Sequence, residues 1–237
     1  MREFLLGVLY LLVYYLICAS SALLLRMKIK IEDEVFRKLL HCILLGSMSV
    51  WVAVIPTWWQ AALFSLFFAI AIYPVLYLAE RIKGYSKTLT ERTPGELKSS
   101  LLVVFFMFAV VIAVCWGWFE DKYLVLASIY AWGVGDAFAA LIGKRYGKHK
   151  IHGKFLNGKK SWEGTATMFL CAFVSVGIIL LCRGGLAPLG YLVIPLVVAA
   201  VSAAAELYSR NGYDTIICPL FAMAALLPLT YLFGGML

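Results

Sequence analysis

Eight apolar segments, each close to the length that crosses a bilayer, dominate this sequence: 4–25, 39–55, 58–79, 100–118, 122–142, 163–182, 187–205 and 215–236. A membrane-crossing helix needs roughly 20 mostly apolar residues. Composition agrees, with 63% hydrophobic and 14% charged residues, where a soluble domain carries about 45–50% and about 25%. A soluble core of this size cannot take up so much apolar surface. The expected fold class is all-α: a polytopic integral membrane helix bundle of about eight transmembrane helices. It is read as one membrane domain over 1–237. Span 39–55 is the shortest and carries His41. Pro195, Pro219 and Pro228 fall in the last two spans, where neighbouring helices can satisfy the freed backbone groups.

Net charge is +8, but its distribution points to topology rather than to nucleic acid. Loops 26–38 and 80–99 hold five Lys/Arg each, loop 143–162 holds seven and loop 206–214 one. With eight alternating spans, eighteen basic residues fall on one side and three on the other. The positive-inside rule then expects the four basic loops in the cytoplasm and both termini outside. For a bacterial chain the membrane would be the plasma membrane. The first span ends near ICASSA, which resembles a cleavage site, yet a basic stretch follows it. An uncleaved anchor is the expectation. The six cysteines sit in or beside apolar runs with no CxxC spacing, so they read as small hydrophobes rather than a disulfide or zinc framework.

Charged groups at membrane depth are expensive and usually mark a functional path. Asp136 lies inside the fifth span, Glu163 opens the sixth, Glu206 closes the seventh and Asp214 opens the eighth. All four fall toward one side, beside the loop with seven Lys/Arg. Taken singly, each is an ordinary helix-end charge with a lysine neighbour. Taken together they suggest one polar site. Mg²⁺ takes carboxylate oxygens, substrate phosphates and water, and lysines neutralise charge on a transferring phosphoryl group. Gly133, Asp136, Ala137, Ala140, Gly143 and Gly147 recur at three- and four-residue spacing. Such a stripe admits either a close helix or a ligand.

Residues 153–161, GKFLNGKKS, imitate a phosphate-binding P-loop. Lys160 intervenes before Ser161, and a membrane helix stands where a strand belongs. The P-loop fold is therefore rejected. A phosphate cradle is not, because Ser161 can cap the sixth helix and a helix N-terminus favours anions. In RKLLH, Arg37 and His41 share a helix face, as do Lys38 and His41. That segment is either a snorkelling membrane anchor or part of a site. Glu96, in ERTPGELK, means little alone.

These motifs together resemble the CTP-dependent lipid kinases, the group of phytol, dolichol and yeast-type diacylglycerol kinases related to phosphatidate cytidylyltransferases. The resemblance rests on RKLLH at 37–41, PGELK at 94–98, GDAFAALIGKRYG at 135–147, GKKSWEGT at 158–165, and Glu206 followed by Asp214 and Pro219. It implies transfer of the CTP γ-phosphate to the hydroxyl of a lipid alcohol, an isoprenoid alcohol such as phytol or diacylglycerol, with Mg²⁺ or another divalent cation. Asp136, Glu163 and Asp214 become candidate catalytic carboxylates, and Asp136, Glu206 and Asp214 candidate metal ligands. Lys144, Lys159, Lys160, Ser161, Arg37 and Lys38 become candidates for nucleotide or phosphate binding. His41, Glu96, Gly135, Gly143 and Gly164 complete the candidate site, expected at the cytoplasmic face. Thr215 follows Asp214, where the family usually has Asn. Two rivals are CDP-lipid synthesis at the same site and an ion-coupled transporter. A transporter would spread its acids through the bilayer depth, and a repeat is often visible. Partners are expected to be the lipid, the nucleotide and the bilayer, with no nucleic acid.

Overall fold

A computed structural model describes residues 2–82, 84–91, 93, 95–152, 160–209 and 213–234. It is helical throughout, apart from one isolated antiparallel bridge. The helices are α1 (Arg2–Lys28), α2 (Asp33–Val54), α3 (Trp58–Ala79), α4 (Tyr85–Thr88), α5 (Glu96–Val111), α6 (Lys122–Tyr146), α7 (Trp162–Arg183), α8 (Gly190–Tyr208) and α9 (Asp214–Leu232). A π-helical stretch, Ile112–Trp118, continues α5. Among the described residues, eight helices are long and apolar enough to cross a membrane, α5 and its π-helical extension counting as one.

The spans match the sequence reading, while several ends differ. Apolarity marks membrane thickness, not helix length. Thus α2 starts at Asp33 and carries Arg37 and Lys38 within the helix. Likewise α6 runs on to Tyr146, with Lys144 and Arg145 in its last turn. Cations there interact favourably with the negative end of the helix dipole.

The chain forms two compact units, Met1–Ala113 and Val114–Leu237. In the first, α1 packs on α2 and α3 on α5. Hydrocarbon gives helices no hydrophobic reason to associate, so close packing and interhelical hydrogen bonds must hold them. Trp51 and Phe105 are buried, and both rings lie against the cluster of Phe64 and Phe68. Ser65 donates to the Phe105 carbonyl at 2.7 Å, and Tyr15 donates to Ser47 Oγ at 2.7 Å. Outward-facing side chains are apolar, as on lipid-facing surfaces: Leu16 of α1 is 69% exposed and Ile70 of α3 72%.

In the second unit α6 packs against α7, α8 and α9. The α6–α7 seam runs along Gly135, Ala139 and Gly143 of α6 and meets the small-residue stripe at Gly143 and Gly147. A Cβ on Gly135 would meet Met168 Sδ at 2.3 Å, and one on Gly164 would meet the Ala139 carbonyl at 3.2 Å. Gly143 and Gly164 face each other there. Ala139, Met168 and Ala203 form a core where α6, α7 and α8 meet. At the opposite end Asp121 caps α6, accepting from the Tyr123 and Leu124 amides, while Arg183 at the end of α7 pairs with the other oxygen of Asp121.

Candidate active site

The polar site of the second unit is built where α6 and α8 approach their C-terminal ends and α7 and α9 begin. Asp136 comes from α6, Glu206 from the last turn of α8 and Asp214 from the first turn of α9. Lys160 stands just ahead of α7. Its Nζ lies 2.7 Å from Glu206 Oε1 and also donates to the Glu206 main-chain carbonyl. Ser209 Oγ donates to the same carbonyl at 2.9 Å. Lys160 thus satisfies the C-terminal end of α8 as well as its carboxylate. Asp136 and Asp214 both lie within electrostatic reach of Glu206. The side chains of Glu206 and Lys160 are only 15% and 21% exposed, so their charges are poorly screened by water.

A small turn of backbone positions Lys160. Lys150 and Ser161 form the antiparallel bridge; the Ile151 amide donates to the Lys160 carbonyl at 2.9 Å, and the Trp162 amide to the His149 carbonyl at 3.0 Å. The basic loop is therefore closed at its base, directly in front of α7. Ser161 caps α7 as its sequence context suggested, accepting from the Gly164 amide at 3.2 Å. It is buried between α6 and α7, near Gly143 and Gly147.

Glu163 has a different surrounding. Its carboxylate accepts from the Lys148 and His149 amides at 3.2 Å and lies 2.7 Å from His149 Nδ1. These bonds clasp the end of α6 to the start of α7. Glu163→Ala should let the Lys148 and His149 amides exchange with solvent hydrogen markedly faster, while the amides of α7 beyond Thr165 keep their protection. Peptide-resolved hydrogen exchange reads both; unchanged exchange at 148–149 would show that the clasp is not what holds the loop.

The other candidates fall as follows. Lys144 is exposed at the end of α6. Gly135, Gly143 and Gly164 lie at the seam between α6 and α7. Lys159 lies outside the described residues. In the first unit, Arg37 pairs with Glu34 and its guanidinium comes within 3.7 Å of Glu96 Oε1. The RKLLH and PGELK segments therefore meet, although neither motif says so alone. Lys38 is 7% exposed and His41 partly buried. The sequence reading missed Ser209, His149 and Cys218. Cys218 is one turn along α9 from Asp214 and within electrostatic reach of Asp214, Glu206, Asp136 and Lys160. Its i, i+4 spacing from Asp214 was the available signal.

Among the described residues, the layer brings Asp136, Glu206 and Asp214 together with Lys160. The donors are all oxygen, which suits a hard divalent cation such as Mg²⁺. Among the described residues no three His, Cys, Asp or Glu groups make a ready metal cage. Mg²⁺ needs none, since it is commonly held by one or two carboxylates plus substrate phosphates and water.

No family model matches the chain, and no solved structure matches it. Curated proteins do. A phytol kinase of Synechocystis sp. (strain ATCC 27184 / PCC 6803 / Kazusa) is 39% identical over 92 residues, which is 39% of this chain and 37% of that protein. A probable chloroplastic phytol kinase of Triticum aestivum is 32% identical over 33% of this chain and 24% of its own. One from Zea mays is 31% identical over 35% and 26%. The match thus spans from about a quarter to just over a third of these relatives' lengths. Over those segments the chain is similar to a protein named phytol kinase and to two named probable phytol kinases.

Proposed function

We propose that this protein is a membrane lipid kinase that moves the γ-phosphate of CTP to the hydroxyl of a lipid alcohol, with phytol as the leading substrate and diacylglycerol as the alternative acceptor. The observation that carries this reading is the layer of Asp136, Glu206, Asp214 and Lys160 gathered at the ends of four apolar helices. The similarity to phytol kinases supports it. A lipid alcohol keeps its tail in hydrocarbon and brings its hydroxyl to such a layer from the membrane side. The nucleotide reaches it from water.

The residues divide the work by chemistry. Asp136 accepts the hydroxyl proton as the lipid oxygen attacks the γ-phosphorus. The bond from that phosphorus to the β–γ bridging oxygen breaks, and CDP leaves. Lys160 sits beside the carboxylates as the fixed positive charge against which the phosphoryl oxygens build up negative charge. Asp136 and Asp214 are the carboxylates that would hold Mg²⁺, with Glu206 shared between that role and Lys160. When bound, the cation neutralises phosphate charge and aligns the β- and γ-phosphates. Packed helices fix these groups before substrate arrives, and positioning supplies much of the rate. By the distribution of basic loops the layer faces the cytoplasm.

Mass spectrometry of lipid products tests the reading. Purified protein with Mg²⁺, CTP and a panel containing phytol, geranylgeraniol, diacylglycerol and phosphatidate should yield a lipid monophosphate from an alcohol, and CDP. A CDP-lipid formed from phosphatidate, with release of pyrophosphate, would instead identify cytidylyl transfer. No lipid product with any nucleoside triphosphate would remove both enzyme readings.

A further inference from the structure

Three of the helices that supply the polar layer carry a buried side chain one turn deeper on the same face. Residues four apart on a helix lie one above the other. Stepping from each carboxylate toward the middle of its helix leads from Asp136 to Trp132, from Glu206 to Ser202 and from Asp214 to Cys218. Trp132 is 1% exposed, and Ser202 and Cys218 are completely buried. Because Cys218 senses all three carboxylates and Lys160, the deeper layer adjoins the charged one. One turn further in, α8 and α9 present Val198, Ala199 and Ala222, all apolar and buried.

Ser202 is the informative member. Its Oγ is buried and makes no hydrogen bond among the described residues. A hydroxyl inside a helix normally bonds a carbonyl one turn back, and others in this protein do. Ser128 bonds the Leu124 carbonyl at 2.8 Å, Ser175 the Cys171 carbonyl at 2.7 Å and Thr230 the Leu226 carbonyl at 2.8 Å. Ser202 leaves the equivalent bond unmade. A buried unpaired hydroxyl costs stability that alanine would not. Thr165 Oγ1 on α7 is also buried without a hydrogen bond, but Thr165 is partly exposed and does not stand beneath a carboxylate.

We propose that Ser202 is the positioning residue for the hydroxyl of the lipid alcohol. This rests on the lipid-kinase reading above. A tail rising through hydrocarbon meets the Ser202 layer before the charged one, about 6 Å below Glu206 along the helix. A hydroxyl both donates and accepts. The substrate oxygen accepts from Ser202 O–H while its own proton points to a carboxylate of the layer above. The remaining lone pair is left for phosphorus. A saturated hydrocarbon of the same shape offers nothing to this group.

The test compares phytol with phytane, the matching hydrocarbon without the hydroxyl, by quenching of intrinsic tryptophan fluorescence in detergent. Wild-type protein should bind phytol at least about tenfold more tightly than phytane, and Ser202→Ala should reduce that preference about tenfold. Its melting temperature should stay equal or rise, which separates the effect from misfolding. In turnover, KM for phytol should rise about tenfold while KM for CTP stays put. An unchanged preference in Ser202→Ala, or no preference in the wild type, overturns the proposal. A Ser202-dependent preference without any phosphate transfer keeps the hydroxyl subsite and discards the kinase reading.

Discussion

Asp136→Asn is expected to lower kcat by about 10²–10⁴-fold while leaving the protein inserted and folded. The range is what a positioned general base contributes. Asparagine has nearly the same shape and volume, so the packing of α6 against its neighbours survives. It cannot accept the hydroxyl proton at neutral pH, and it is a poor ligand for a hard cation. The variant also removes one negative charge from a layer where Glu206 senses Asp136 directly. A melting temperature close to that of the wild type shows that the variant is folded. The informative readout is kcat measured beside a melting temperature. Normal turnover in a stable Asp136→Asn protein would remove Asp136 from the chemistry.

Lys160 should show the second large effect, and it separates structure from function. Lys160→Met removes the partner of Glu206 and the cation at the α8 terminus. Leaving a mostly buried carboxylate without its charged hydrogen bond costs about 1.5–3 kcal/mol. Turnover should fall by about 10²–10³-fold, the usual loss when a preorganised charge stabiliser is removed. Adding Glu206→Gln relieves the unpaired carboxylate, so the double variant should regain most of the lost stability. It should not regain turnover, because the positive charge beside the phosphate is still missing. Recovery of both together would show that Lys160 serves packing alone.

Much of the fold was legible because membrane thickness writes itself into sequence. Eight apolar runs gave eight helices, down to the break between α2 and α3. The ends were less legible, because Arg37, Lys38, Lys144 and Arg145 continue helices in polar surroundings that hydropathy cannot follow. The Ser161 cap was readable, since a serine before an apolar run has a local mechanism. So was the shared depth of Asp136, Glu206 and Asp214, which follows from their distance to span ends. Their partners were not readable. Lys160 meets a residue 46 positions away, and only helix packing decides that pairing. Glu163 was readable as a polar candidate in KKSWEG, but its backbone-amide partners, which the Lys150–Ser161 bridge brings to it, were not. The small-residue stripe allowed both a ligand and a helix; α7 and its capping residue Ser161 pack against the end of it, Gly143 and Gly147. RKLLH and PGELK were weak signals whose meeting, through Arg37 and Glu96, needed the fold.

The most direct measurement follows radiolabel from CTP into phytol, with the label at either the γ or the α phosphate, in wild type and Asp136→Asn side by side. Label from the γ position in the lipid fraction of the wild type, and its loss in the variant, is the expected result. Label from the α position in the lipid, or γ transfer undiminished in Asp136→Asn, would contradict the assignment of this layer as a phosphoryl-transfer centre.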